Sequence, residues 1–198
     1  MRIKVVTLLA AVFCVLLTGC KIASANTESY PQSKRYNAAS ANEYRDFNKD
    51  NLYVIYTVSN TDYNATKNAA YLYISADKKL KEKLGIISDA VSNMFFENLP
   101  IEVVDIENKD GKKIAVINLL ENENNRGQKD YSVHKRPSWA LNFFQGSSGG
   151  GQTSTILIEN FLQRQNKNQW VDGIRFLYNG NPITGFDHIP LLENTVYR

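Results

Sequence analysis

Cysteine is almost missing from this chain. Among 198 residues there are two, Cys14 and Cys20, both at the start. No disulfide is therefore available to the remainder, which must be held by its apolar core alone; a length of about 150 residues allows that. Histidine is equally scarce. His134 and His188 stand far apart, so no ligand set for a transition metal is visible, and no cofactor is expected. A large excess of charge of one sign is lacking too. The formal net charge is +3, with no clustered basic face of the kind nucleic acid requires. A long apolar run is also missing. The longest, at the N-terminus, falls short of the about 20 residues of a comfortable transmembrane helix.

What the first 20 residues do contain is ordered. Arg2 and Lys4 come first, Val5 to Leu17 form an apolar stretch, and small residues precede Cys20. This is the three-part layout of a secretory signal peptide. The run Leu17-Thr18-Gly19-Cys20 resembles the lipobox of bacterial lipoproteins. The resemblance implies cleavage before Cys20 and a thioether-linked diacylglycerol on its sulfur. The protein is then extracytoplasmic and lipid-anchored to the bacterial cell membrane. Each buried CH₂ contributes about 0.8 kcal/mol, so two acyl chains hold a protein where one does not. The mature chain would carry 21 basic and 20 acidic residues, a net charge of +1.

Three segments follow: a signal peptide over 1–19, a lipidated and flexible tether over 20–49, and one domain over 50–198. The tether is rich in Ser, Asn and Ala, and a coil of its length spans on the order of 30 Å. Beyond it, Leu52 to Val58 is β-branched and aromatic, which predicts a strand. Ala70 to Ser75 sets Tyr71 and Tyr73 against Leu72 and Ile74, a second strand. Leu80, Leu84, Ile87, Val91 and Met94 recur at helical spacing, with Asp77 as the expected cap and Pro100 as the stop. Ile101 to Ile106 and Lys113 to Leu119 read as strands joined through Asp110-Gly111, a strong hairpin signal. A polar loop covers Glu121 to Arg136, and Trp139 to Phe144 alternates as a further strand. Gly146 to Gly151 breaks the chain before a helix carrying Leu157, Ile158, Phe161 and Leu162. Asp172 to Tyr178 is a strand that Asn179-Gly180 turns back. The expectation is an α+β domain. It has a single mixed, largely antiparallel sheet and two main helices packed on one face.

This order resembles the GerM-type (GerMN) domain of bacterial sporulation and spore-germination lipoproteins. The likeness runs over about residues 69–190. It rests on Tyr71-Leu72-Tyr73-Ile74 with its helix ending at Leu99-Pro100, and on Gly111 to Leu119 ending in Asn118-Leu119. The Gly-rich run before the helix that ends at Phe161-Leu162, and Val171 to Ile183, complete it. The resemblance implies a module without catalysis that assembles with itself or with envelope proteins.

Other constellations suggest chemistry. Gly146-Ser147-Ser148-Gly149-Gly150 matches G-x-S-x-G, with Ser148 as nucleophile. Asp172 and His188 follow in the order such hydrolases use, so an esterase-like enzyme is the alternative. The blander reading gives Gly149 to Gly151 positive φ angles, with Ser148, Thr153 or Ser154 capping the helix. The glycines could also cradle an anion at the helix start, but no lysine stands in the P-loop position. Asp46, Asn48 and Asp50 have the spacing that opens a calcium loop. Asn51 and Thr57 occupy the places of its glycine and glutamate, so these residues read as the solvated end of the tether. Tyr53, Tyr56, Tyr71 and Tyr73, with Trp139, Phe143 and Phe144, could offer aromatic faces to a glycan such as peptidoglycan, or simply fill the core.

Overall fold

The computed structural model describes residues 48–59, 62 and 65–198. The lipobox segment, Cys20, Asp46 and nearly all of the expected tether lie outside the described residues. At the tether's end, Asn48 caps a 3-10 turn, Lys49–Asn51.

Leu52–Val58 forms strand β1 and Thr66–Tyr73 forms β2, an antiparallel pair with a bulge near Tyr56. β2 starts earlier than the apolar alternation indicated. Its first residues are exposed and polar, so only backbone pairing with β1 defines them. Further on the alternation holds: Tyr71 and Tyr73 face solvent while Ile74 is buried.

Helix α1, Leu80–Phe95, follows the apolar stripe. Leu84, Ile87 and Val91 on it are fully buried. Its start differs from expectation. Asp77 hydrogen-bonds Ser75, and Glu82 accepts the Lys79 N–H at 2.8 Å, satisfying one orphan donor from within the first turn. The helix ends before Pro100. Glu97 and Asn98 take positive φ, and the Asn98 N–H returns to the Ser92 carbonyl at 3.1 Å.

Strands β3, Ile101–Lys109, and β4, Lys112–Leu119, make the expected hairpin, with positive φ at Asp110 and Gly111. Helix α2 is Ser147–Leu162, and β5 is Gly173–Tyr178. β4 and β5 pair in parallel, with α2 in the crossover between them. Two short strands, β6 at Asn181–Pro182 and β7 at Val196–Tyr197, share the far edge of β5, one at each end.

The fold is thus α+β with a mixed sheet and two main helices, but the strands do not form one sheet. β1 and β2 stand apart from the five-stranded sheet β3-β4-β5-β6 with β7. The reason lies on α2. The Asn160 side chain accepts from the Tyr56 N–H at 2.9 Å and donates to the Tyr56 carbonyl at 2.8 Å. Gln163 does the same to Val54, at 3.3 and 2.7 Å. Two amides replace a neighbouring strand, so the β1 edge needs none.

One core unites these parts. Ala115, Ile117 and Leu119 of β4 and Ile174, Phe176 and Tyr178 of β5 face the buried residues of both helices. On the other face of β4, Arg175 and Glu107 meet at 2.7 Å over the flank carrying Ile114 and Val116.

Two further local expectations fail. Trp139–Phe143 is a π-helical turn, not a strand. Its Phe144 N–H bonds the Trp139 carbonyl at 2.8 Å. That turn brings Trp139, Phe143 and Phe144 together, with ring centroids 5.6 and 5.7 Å from the Trp139 ring. An aromatic pattern that reads as strand alternation serves this cluster instead. The second failure is the glycine run, which is the first turn of α2. Of its glycines only Gly146, the residue before the helix, has positive φ. No serine or threonine side chain caps the start. Gly150 is needed for another reason: a Cβ there would run into the His188 carbonyl and lie 2.8 Å from the His188 Cβ.

Candidate functional site

Ser148, His188 and Asp172 do not come together. Ser148 is exposed in the first turn of α2, its hydroxyl accepting from Gln152 at 3.1 Å. His188 packs its backbone on Gly150 nearby. Asp172 is at the other end of the helix. Its carboxylate accepts the Lys113 N–H at 2.7 Å, and its carbonyl accepts from Arg198, which also holds the Gln163 carbonyl just past α2. A helix of 16 residues is about 24 Å long, which separates Asp172 from the serine.

The tyrosines divide as well. Tyr53 and Tyr56 are buried, while Tyr71 is 60% exposed. They make no common surface. Trp139 and Phe144 are wholly inside. Asn48 spends its side chain on the Asp50 N–H, and among the described residues no group of three or more His, Cys, Asp or Glu could hold a metal.

The polar chemistry gathers elsewhere, just beyond the carboxyl ends of the parallel pair. Open α/β sheets place their ligand crevices at such ends. Glu121 follows β4 and is completely buried. One carboxylate oxygen accepts from Ser138 Oγ at 2.9 Å, the Tyr178 hydroxyl at 2.9 Å and the Ala140 N–H at 3.0 Å. The other accepts from Asn125 Nδ2 at 3.2 Å. A buried carboxylate needs this many donors to offset its lost hydration. Burial first, and the Glu121 charge second, raise the Tyr178 phenol well above its ordinary range.

His134 is buried beside this group, its Nδ1 3.1 Å from Ser138 Oγ and 3.7 Å from Glu121. Ser138 gives its single proton to Glu121, so His134 Nδ1 is the donor to Ser138. Serine, histidine and acid are all present, but the Ser138 hydroxyl donates to the acid and not to the histidine, and Ser138 is fully buried. The arrangement locks a loop. Asn125 extends it, exchanging two hydrogen bonds with the Lys135 backbone at 2.8 and 2.7 Å.

A cleft of about 410 Å³ opens next to this lock, lined by Gln128, Tyr131, Tyr178, Asn181, Thr184 and Phe186 among others. Tyr131 is 39% exposed, yet its ring is fixed. It stacks on Phe186 with centroids 5.3 Å apart and meets His134 and Tyr178 edge-on. Asp130 steadies the turn by accepting from the Ser132 N–H and hydroxyl, which holds its carboxyl below the usual range.

None of these residues is singled out by a sequence motif. The available signal is positional: Glu121 closely follows one apolar strand, and Asn179, whose side chain accepts the Glu121 N–H at 3.0 Å, follows the other. It becomes informative only once the strands are known to run in parallel, whereas the hairpin turns pointed to antiparallel pairing.

Comparison of the chain with protein-family models, with curated proteins and with solved structures finds no match in any of the three.

Proposed function

We propose that this protein is a lipid-anchored, extracytoplasmic envelope module of the GerM type that binds partner proteins and carries out no catalysis. The observation that carries this reading is the layout of the first 20 residues, which ends in Leu17-Thr18-Gly19-Cys20. An apolar stretch of that length followed by small residues and cysteine fits processing and lipidation better than a membrane span.

The protein-binding part draws support from the β1–β2 hairpin. Its inner edge is satisfied by Asn160 and Gln163, so it is held firmly against α2. Among the described residues, no strand pairs with the outer side of β2. β3, at the margin of the larger sheet, is better guarded. It is bulged near Val104, carries Glu102, Asp105 and Glu107, and Lys81 Nζ sits on the Val104 carbonyl at 2.6 Å. Charges and bulges blunt an edge against further pairing. β2 carries one charged residue, Lys67, and one bulge. An extended segment of an envelope protein added to β2 would use the backbone for affinity.

Metabolic labelling with a clickable fatty acid tests the anchor. The full chain is expected to take the label and sediment with membranes, and Cys20→Ala to lose both. A label that survives Cys20→Ala would overturn the anchor.

A further inference from the structure

The cleft beyond β4 and β5 has features that the protein-binding reading does not use. Its lining contains no acidic side chain and one cation, Lys129. Its volume, about 410 Å³, is in the range of small-molecule sites, roughly 300–1,000 Å³. Tyr131 lines the cleft and is partly exposed, and three aromatic neighbours keep its ring from turning away. Around it stand uncommitted polar groups. The side chains of Gln128, Lys129 and Thr184 make no hydrogen bond within the described residues. Asn181 uses only its amide nitrogen, on the Asn179 carbonyl at 3.0 Å, which leaves its oxygen as an acceptor. Planar amides and a hydroxyl both donate and accept.

From this combination we infer that the cleft is a saccharide-binding site, selective for N-acetylated hexosamine units. The apolar C–H face of a pyranose ring fits a fixed tyrosine face. The Gln128 and Asn181 amides and the Thr184 hydroxyl match ring hydroxyls, and a side-chain amide is the natural partner of an acetamido group. Phosphorylated ligands fit poorly, because a single lysine supplies no bidentate clamp. The network around Glu121 gives the site its rigidity. It fixes Tyr178 and the loop carrying Tyr131, so little ordering is left for the ligand to impose.

The choice of an N-acetylated sugar rests on the extracytoplasmic location proposed above, where such polymers are exposed. The binding measurement does not depend on that location. The full chain in detergent would be titrated with di-N-acetylchitobiose by calorimetry and by NMR shifts, with cellobiose as the sugar lacking acetamido groups. Saturable binding of chitobiose is expected, at least tenfold tighter than cellobiose, with shifts centred on Tyr131 and Asn181. Tyr131→Ala should weaken it tenfold or more, and Tyr131→Phe should retain it. Gln128→Ala, a surface change that spares the aromatic cluster, should weaken it several-fold in a protein that melts like the wild type. Absence of saturable binding overturns the inference, as does binding unaffected by both Tyr131→Ala and Gln128→Ala. Equal affinity for cellobiose overturns the acetamido selectivity. A chain that takes up lipid label but no sugar fails here alone; one that binds sugar without a Cys20 label fails in its location alone.

Discussion

Glu121 organises a whole region through the hydrogen bonds of one side chain. Four donors converge on its carboxylate, from Ser138, Tyr178, Ala140 and Asn125. Removing the acceptor strands all of them in a buried place, and breaking such a group costs about 3–5 kcal/mol. Glu121→Ala should lose stability of that order in urea melts, and Glu121→Gln, which keeps one acceptor oxygen, clearly less. A loss below about 1 kcal/mol in the alanine variant would contradict the network. Tyr178 adds a pH dependence. Its phenol is raised in the folded state by burial and by Glu121. The unfolded chain gives up this proton near pH 10 while the folded chain retains it. The contribution is therefore complete below about pH 10 and is lost as the pH climbs through the folded value. Melts from pH 8 to 11 should show stability falling above pH 10, with a shallower fall in Tyr178→Phe. An unchanged slope in that variant would count against the burial of the phenol beside a charge.

At the scale of elements, what could be read from the sequence was local. α1 is visible as an apolar stripe, and the β3–β4 hairpin through Asp110-Gly111, because both depend on neighbours along the chain. The parallel pairing of β4 with β5 depends on segments about 60 residues apart, as Ile114 opposite Gly173 illustrates. The separate β1–β2 sheet depends on two amides about a hundred residues away. In sequence Asn160 is merely a polar residue among the apolar ones of α2, and only the fold reveals it as a substitute strand. The candidate cleft was hidden for the same reason, since its residues are scattered over the loops that parallel pairing brings to one end. A prediction belongs at this scale. Asn160→Ala leaves the buried N–H and carbonyl of Tyr56 without partners, at a cost of about 2–3 kcal/mol. Hydrogen exchange should accelerate first at the Tyr56 amide, with Ile117 in β4 still protected. Simultaneous loss of protection at both would mean that the hairpin and the larger sheet open as one unit.

For the molecule as a whole, the described domain carries two proposed working regions. The β2 edge is proposed to offer backbone to a partner, and the cleft past β4 and β5 to offer the Tyr131 ring and the polar groups of Gln128, Asn181 and Thr184 to a saccharide. The hairpin docks directly on α2, and the Glu121 lock fixes the loops of the cleft. The proposed anchor at Cys20 would keep both regions at the membrane surface. Partner binding through β2 is the central claim. Photo-cross-linking in living cells tests it most directly, with the cross-linker at Tyr71 on β2 and, as control, at Val104 on the guarded β3. The account predicts a discrete cross-link at Tyr71, mapped by mass spectrometry to an extended segment of one envelope protein and missing at Val104. No cross-link at Tyr71 above the Val104 background would contradict it, and a cross-link to a second copy of this chain would replace the envelope partner with self-assembly.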